Sequence, residues 1–164
     1  MALSLQRFVS SFVYYQLILF ILFALSINYF IELKYISLFA YAIFHITFIY
    51  LVFYYFSFKV FIVAFIYGVF YDIILINYTA PHLITFLLLI TFIYLVRKLL
   101  FNFNPNKISF MILIIFFIMF FLEMFISFVL FNYNFNLKIL LQLYSIGVIV
   151  FFPLMYFFSR LDKL

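Results

Sequence analysis

Six runs of about twenty apolar residues, each closed by a charge or by an Asn/Pro cluster, fill almost the whole chain: 8–31, 35–57, 60–78, 81–99, 108–131 and 139–159. A helix rises about 1.5 Å per residue and a bilayer's hydrocarbon core is about 30 Å thick, so each run is long enough to cross one. The connections are Glu32-Leu33-Lys34, Phe58-Lys59, Asn77-Tyr78-Thr79-Ala80, the stretch from Asn102 to Lys107 and the stretch from Asn132 to Asn136. None can hold a domain outside the membrane. Because the runs are continuously apolar rather than alternating, they select helices over a transmembrane β-barrel. Pro81 stands first in the fourth run, where a missing N–H costs little. Arg97 and Lys98 close that run, and long cationic side chains at a helix end snorkel to the interface. The expected architecture is all-α: a polytopic membrane protein of six transmembrane helices forming one domain over residues 1–164.

Composition excludes the main alternatives. Of the 164 residues 73% are hydrophobic and 8% charged, against about 25% charged in soluble domains. Nine Lys/Arg and four Asp/Glu cannot cover a water-soluble surface. Soluble enzymes and nucleic-acid modules are therefore ruled out. The 31 Phe and 15 Tyr follow a general bias toward Phe, Ile, Tyr, Asn and Lys and carry no functional weight individually. With no Cys, the chain holds no disulfide, thiol nucleophile or iron–sulfur ligand. It has no Gly-x-Ser-x-Gly, no His-Glu-x-x-His and no glycine-rich phosphate loop. Four acids and two histidines are too few and too scattered to build a metal centre. The reading is a non-enzymatic protein without metal or cofactor.

Orientation follows from the distribution of Lys and Arg. In a six-span topology one side collects Arg7, Lys59, Arg97, Lys98, Lys107, Arg160 and Lys163, and the other only Lys34 and Lys138. Seven against two places both termini in the cytoplasm. The spread of one or two basic residues per loop is what this rule requires by itself. Arg7, the apolar stretch after it and Ala24-Leu25-Ser26 imitate a cleaved signal peptide, but the run continues through Ile31, so a retained first helix is expected.

Ionisable groups deep in a membrane cost about 2.5–3.5 kcal/mol on insertion scales, so those that remain face the bundle interior. Three stand out: His45, Asp72 and Glu123. Asp72 shares a face with Ala64 and Gly68 at four-residue spacing, and small residues there permit close helix approach. It should point at a neighbouring helix, as a buried group fixing register; the functional alternative is a ligand, proton or partner site. Glu123, with Ser127 one turn on, is expected to pair with Lys138 or Lys34. His45, on a face with Tyr41, is expected to bond Asp72 or Glu123. Gln142, Ser145 and Gly147, followed by Pro153, read as a polar, closely packed and kinked sixth span, and Gln16 in the first span reads similarly.

Gly68-Val69-Phe70-Tyr71-Asp72, then the turn Asn77-Tyr78-Thr79-Ala80-Pro81-His82-Leu83, then an apolar helix ending Tyr94-Leu95-Val96-Arg97-Lys98, resembles the MreD family of bacterial rod-shape-determining proteins. In that family a Gly-x-x-x-Asp in the third span precedes a Gly/Pro-containing turn; here Ala80 stands where glycine is usual. The chain's length, its six spans and the proline before a basic tail, Pro153 to Lys163, are similar as well.

The resemblance implies a component of the cell-elongation machinery in the bacterial inner membrane. It implies partnership with MreC and, through MreC, with MreB and with the peptidoglycan synthases RodA and penicillin-binding protein 2. It also implies a fold similar to the substrate-binding subunits of energy-coupling-factor vitamin transporters, and such a subunit is the rival reading. Those subunits carry small residues at Ala-x-x-x-Ala spacing in the first helix, where this chain has only Ala24. Gly68, Asp72, Pro81, Glu123, His45, Gly147 and Pro153 are the candidate structural or partner-binding residues.

Overall fold

The computed structural model describes residues 2–27, 34–76, 80–100, 105–132 and 136–161, and their side chains except those of 2–11, 34, 76, 97–100, 105 and 106. Six helices follow one another: α1 Ala2–Ser26, α2 Lys34–Tyr54, α3 Phe58–Ile76, α4 Pro81–Leu100, α5 Pro105–Phe131 and α6 Leu137–Leu161. No strand occurs among the described residues. Four of the helices, α2, α3, α5 and α6, are long and apolar enough to cross a membrane, and α1 and α4 contribute shorter apolar segments, Phe12–Ser26 and Pro81–Val96. The protein is a multi-pass, all-α membrane protein. The spans expected at 60–78 and 81–99 match α3 and α4 closely. The expected end of the first span, 27–31, falls largely outside the described residues.

Helix boundaries have local causes. α5 ends as Asn132 turns left-handed, with φ 53°, and donates its backbone N–H to the Phe128 carbonyl at 3.1 Å. Asparagine tolerates that conformation better than most residues. α6 begins where the Asn136 side chain accepts from the backbone N–H groups of Lys138 at 3.1 Å and Ile139 at 3.3 Å, an asparagine N-cap. α6 then runs unbroken through Pro153. The ring leaves the carbonyl four residues back without its helical donor.

The helices form two compact units. One comprises α1, the first part of α2 and most of α6; Tyr15 meets Phe158 edge-on there at 5.4 Å, and Phe44 stacks on Phe48 at 6.4 Å. The other comprises the end of α2, then α3, α4, α5 and the start of α6. In it Phe56 stacks on Tyr94 at 5.7 Å and meets Phe61 edge-on at 5.9 Å. Along α2 every residue from Phe44 to Val52 is buried, the pattern of a helix enclosed on all sides. Large apolar residues such as Ile149, Phe152 and Leu95 are more than 70% exposed, a liability in water and a match for lipid.

Candidate functional site

The hairpin of α3 and α4 holds a site where several polar groups converge. On α3 the residues Ala64, Tyr67, Gly68, Tyr71 and Asp72 all face inward. The expected Ala64-Gly68-Asp72 face is therefore the packed one. A Cβ placed on Gly68 would sit 2.7 Å from the Cα of Leu83, 3.1 Å from its N and 3.3 Å from its Cβ. Only a hydrogen fits there, so glycine brings the first turn of α4 onto the backbone of α3.

That approach puts Asp72 at the start of α4. The opening of this helix is chemically incomplete on its own. A helix leaves its first N–H groups without internal partners, and a Ser, Thr, Asp or Asn just before it ordinarily accepts from them. Here that position is Ala80, which has no acceptor, and Pro81 has no N–H to satisfy. The first internal bond runs from the Ile84 N–H to the Ala80 carbonyl at 2.9 Å, which leaves the N–H groups of His82 and Leu83. Asp72 takes both: Oδ1 accepts from His82 N at 2.8 Å and Oδ2 from Leu83 N at 3.0 Å. The cap of α4 is thus supplied from the preceding helix.

The His82 ring adds a third bond, with Nδ1 2.8 Å from the same Oδ1. The imidazole is clamped between Tyr71, stacked at 5.4 Å, and Phe86, edge-on at 6.4 Å. Asp72 is 0% and His82 5% exposed. A bare carboxylate would be costly at such depth. Two backbone donors, the imidazole contact and the positive end of the α4 dipole offset that cost together. Thr85 completes the turn by donating to the Pro81 carbonyl at 2.6 Å. Among the described residues no group of three or more His, Cys, Asp or Glu side chains comes together. The arrangement is a clamp holding α3 to α4.

The other expected residues lie elsewhere. Asp72 points at a neighbouring helix as expected, but its partner is His82 rather than His45. His45 is buried in α2, where Nδ1 donates to the Tyr41 carbonyl at 2.8 Å and the ring packs on Tyr41 at 4.2 Å. Glu123 is buried in α5, and the Ser127 hydroxyl donates to its carbonyl at 2.8 Å. Lys138 is exposed at the start of α6, and the Lys34 side chain lies outside the described residues. Gly147 is buried, whereas Gln142, Ser145 and Pro153 are exposed, so the polar residues of α6 do not form the packed face expected of them. In α1 the Gln16 amide nitrogen is buried without a hydrogen-bond partner.

His82 is the participant that the sequence reading passed over. The signal was present: a helix opening Ala80-Pro81 has no cap of its own, so two N–H groups must find an acceptor elsewhere, and Asp72 stands ten residues earlier across a short turn. Comparison with known proteins finds no matching family model, no similar curated protein and no similar solved structure.

Proposed function

We propose that the chain is a non-enzymatic membrane component of the bacterial cell-elongation complex, of the MreD type. In this reading it sits in the inner membrane with both termini in the cytoplasm and scaffolds MreC, and through MreC the peptidoglycan synthases. The α3–α4 clamp is the observation that carries the reading. The residues behind the resemblance, Gly68, Asp72 and Pro81, act as one unit in which each has a separate physical task.

A scaffold of this kind works through its lipid-facing helices, because its loops are too short to offer a recognition surface. Gly68 and Ala64 are committed to internal packing and leave no room for a partner. The exposed side of α6, with Ile149, Phe152, Pro153 and Tyr156, is the surface offered to a transmembrane helix of MreC. Helices associate in lipid by close packing, and a proline-bearing helix leaves a carbonyl for a partner to reach.

Site-specific photocrosslinking from Ile149 and Phe152, in cells that contain MreC, tests this. The expected product is an adduct with MreC that is absent when the crosslinker is placed at buried Ala64. Tight binding of a vitamin-sized ligand by the purified protein, with no MreC adduct, would replace this reading with the transporter subunit.

A further inference from the structure

α6 has a missing hydrogen bond at its centre. Pro153 sits inside the helix, and its ring nitrogen has no hydrogen to give to the Ile149 carbonyl four residues back. Among the described residues no loop N–H and no side chain takes that place. Ile149 is also the middle residue of α6, with 12 residues on either side of it in a helix of 25. Such a helix is about 37 Å long against a hydrocarbon core of about 30 Å, so the bare carbonyl lies near the bilayer midplane. Water does not reach that depth, and an unanswered backbone group there is costly.

The carbonyl opens onto the outer side of the helix. Ile149, Phe152 and Pro153, which surround it, are all exposed. Along the same side the exposed residues Ser145, Ile149, Phe152, Tyr156 and Ser159 follow one another in alternating steps of four and three. That is the spacing of a seam along which a second helix packs at a shallow, left-handed crossing. All five residues belong to one compact unit.

The carbonyl decides between the occupants such a seam could take. Acyl chains match its apolar side chains but bring no donor. A second copy of the chain would enter the membrane in the same direction, so a symmetric pair sets each residue of α6 against its own counterpart. It would bring acceptor to acceptor at Ile149. The nearest hydroxyls on the seam, Ser145 and Tyr156, stand about 6 and about 10 Å away along the axis. That of Tyr156 is turned toward Arg160, 2.8 Å from Nη2. The occupant that answers the carbonyl is a helix of another protein with a donor of its own at that level.

We infer that α6 receives a transmembrane helix of a different protein that carries an amide, hydroxyl or indole donor at mid-span, bonded to the Ile149 carbonyl. This rests on the reading that the exposed side of α6 docks a helix, and adds the chemistry which that helix must bring.

The probe is a synthetic leucine helix of about 24 residues with one central Asn, compared with the same helix carrying Leu there or the Asn one turn nearer either end. The chain has no Cys, so Leu164→Cys takes a single dye on the full-length protein, and energy transfer to dye-labelled probe in phosphatidylcholine vesicles reads association. The central Asn should bind about threefold tighter than Leu, and up to about eighteenfold, while the displaced Asn gains less than about twofold. Pro153→Ala returns an N–H to the Ile149 carbonyl and should bring the gain from the central Asn below about twofold. Pro153 is exposed, so alanine needs no repacking, and Pro153→Leu should act in the same way.

Equal binding of all the probes would overturn the inference in favour of a face covered by lipid. A gain that survives Pro153→Ala would overturn it in favour of another acceptor. Transfer between differently labelled copies of the protein that excludes the probe would overturn it in favour of a second copy. A preference for the central Asn that Pro153→Ala removes, with no MreC adduct from Ile149, upholds the donor and removes MreC as its bearer. An MreC adduct without that preference keeps MreC and overturns the donor.

Discussion

Gly68→Ala is the smallest change that tests the clamp. The added methyl would meet the Leu83 Cα at 2.7 Å and its N at 3.1 Å. Carbon pairs are comfortable near about 3.5 Å, so the first turn of α4 has to retreat by about 0.8 Å. The bonds from His82 N at 2.8 Å and Leu83 N at 3.0 Å then stretch beyond the range of about 2.7–3.2 Å over which such bonds are effective. In membrane proteins a polar contact of this kind is worth about 0.6 kcal/mol on average and up to about 1.7, so the two together account for about 1–3 kcal/mol. Residual overpacking adds about 1 kcal/mol. Helix propensity works the other way, favouring alanine by about 1 kcal/mol. The net expectation is a loss of about 1–3 kcal/mol, read from SDS-driven unfolding of the purified protein in mixed micelles by tyrosine fluorescence. Two further variants isolate the cause. Leu83→Ala should not rescue Gly68→Ala, because the collision is with backbone. In an Asp72→Leu background Gly68→Ala should cost less, since the bonds it breaks are already gone. An alanine variant as stable as the parent, or a fully additive double variant, would refute the reasoning.

Asp72→Leu orphans two buried N–H groups at about 1–3 kcal/mol each, whereas Asp72→Asn keeps one acceptor, so in the same unfolding assay leucine should be clearly the worse of the two. His82→Phe keeps the aromatic packing between Tyr71 and Phe86 and both backbone bonds, and should cost less than Asp72→Leu by at least about 1 kcal/mol. Asn136→Ala removes the side-chain cap of α6 and should lower stability by about 0.5–2 kcal/mol, recovered in large part by Asn136→Ser. Reporter fusions in the 101–107 connection and after Leu164 should read cytoplasmic and in the 132–136 connection periplasmic; an external Leu164 would break the six-span topology.

The order and number of helices were legible because each apolar run stops where backbone or side chain must meet water. Pro81 marks the start of α4 as read, since proline at that point loses no bond. Asp72 was legible as an inward residue from its spacing with Ala64 and Gly68. Its task was not, because helical periodicity places a residue on a face without saying what stands opposite. Finding His82 requires counting unsatisfied N–H groups across a turn, which links residues ten apart. For Glu123 the sequence names candidate partners without placing them: Lys138 is exposed at the start of α6, and the Lys34 side chain lies outside the described residues. Gln142 and Ser145 misled because a polar residue in an apolar helix suggests an interior position, yet both lie on the exposed side of α6.

A cap lent by one helix to the next also bears on how the chain enters the bilayer. Alone in lipid, α3 would carry an unpartnered carboxylate, at about 2.5–3.5 kcal/mol on insertion scales. Alone, α4 would begin with two unanswered N–H groups and end with Arg97 and Lys98. Each segment is a poor candidate for independent entry, and the defects of the two cancel only when both are present. During synthesis α3 is therefore best held at the protein-conducting channel until α4 has emerged as well, so that the two segments partition together. An insertion lengthening the 77–80 connection would separate them in time, and its first effect would fall on the yield of inserted protein, ahead of any effect on the finished fold.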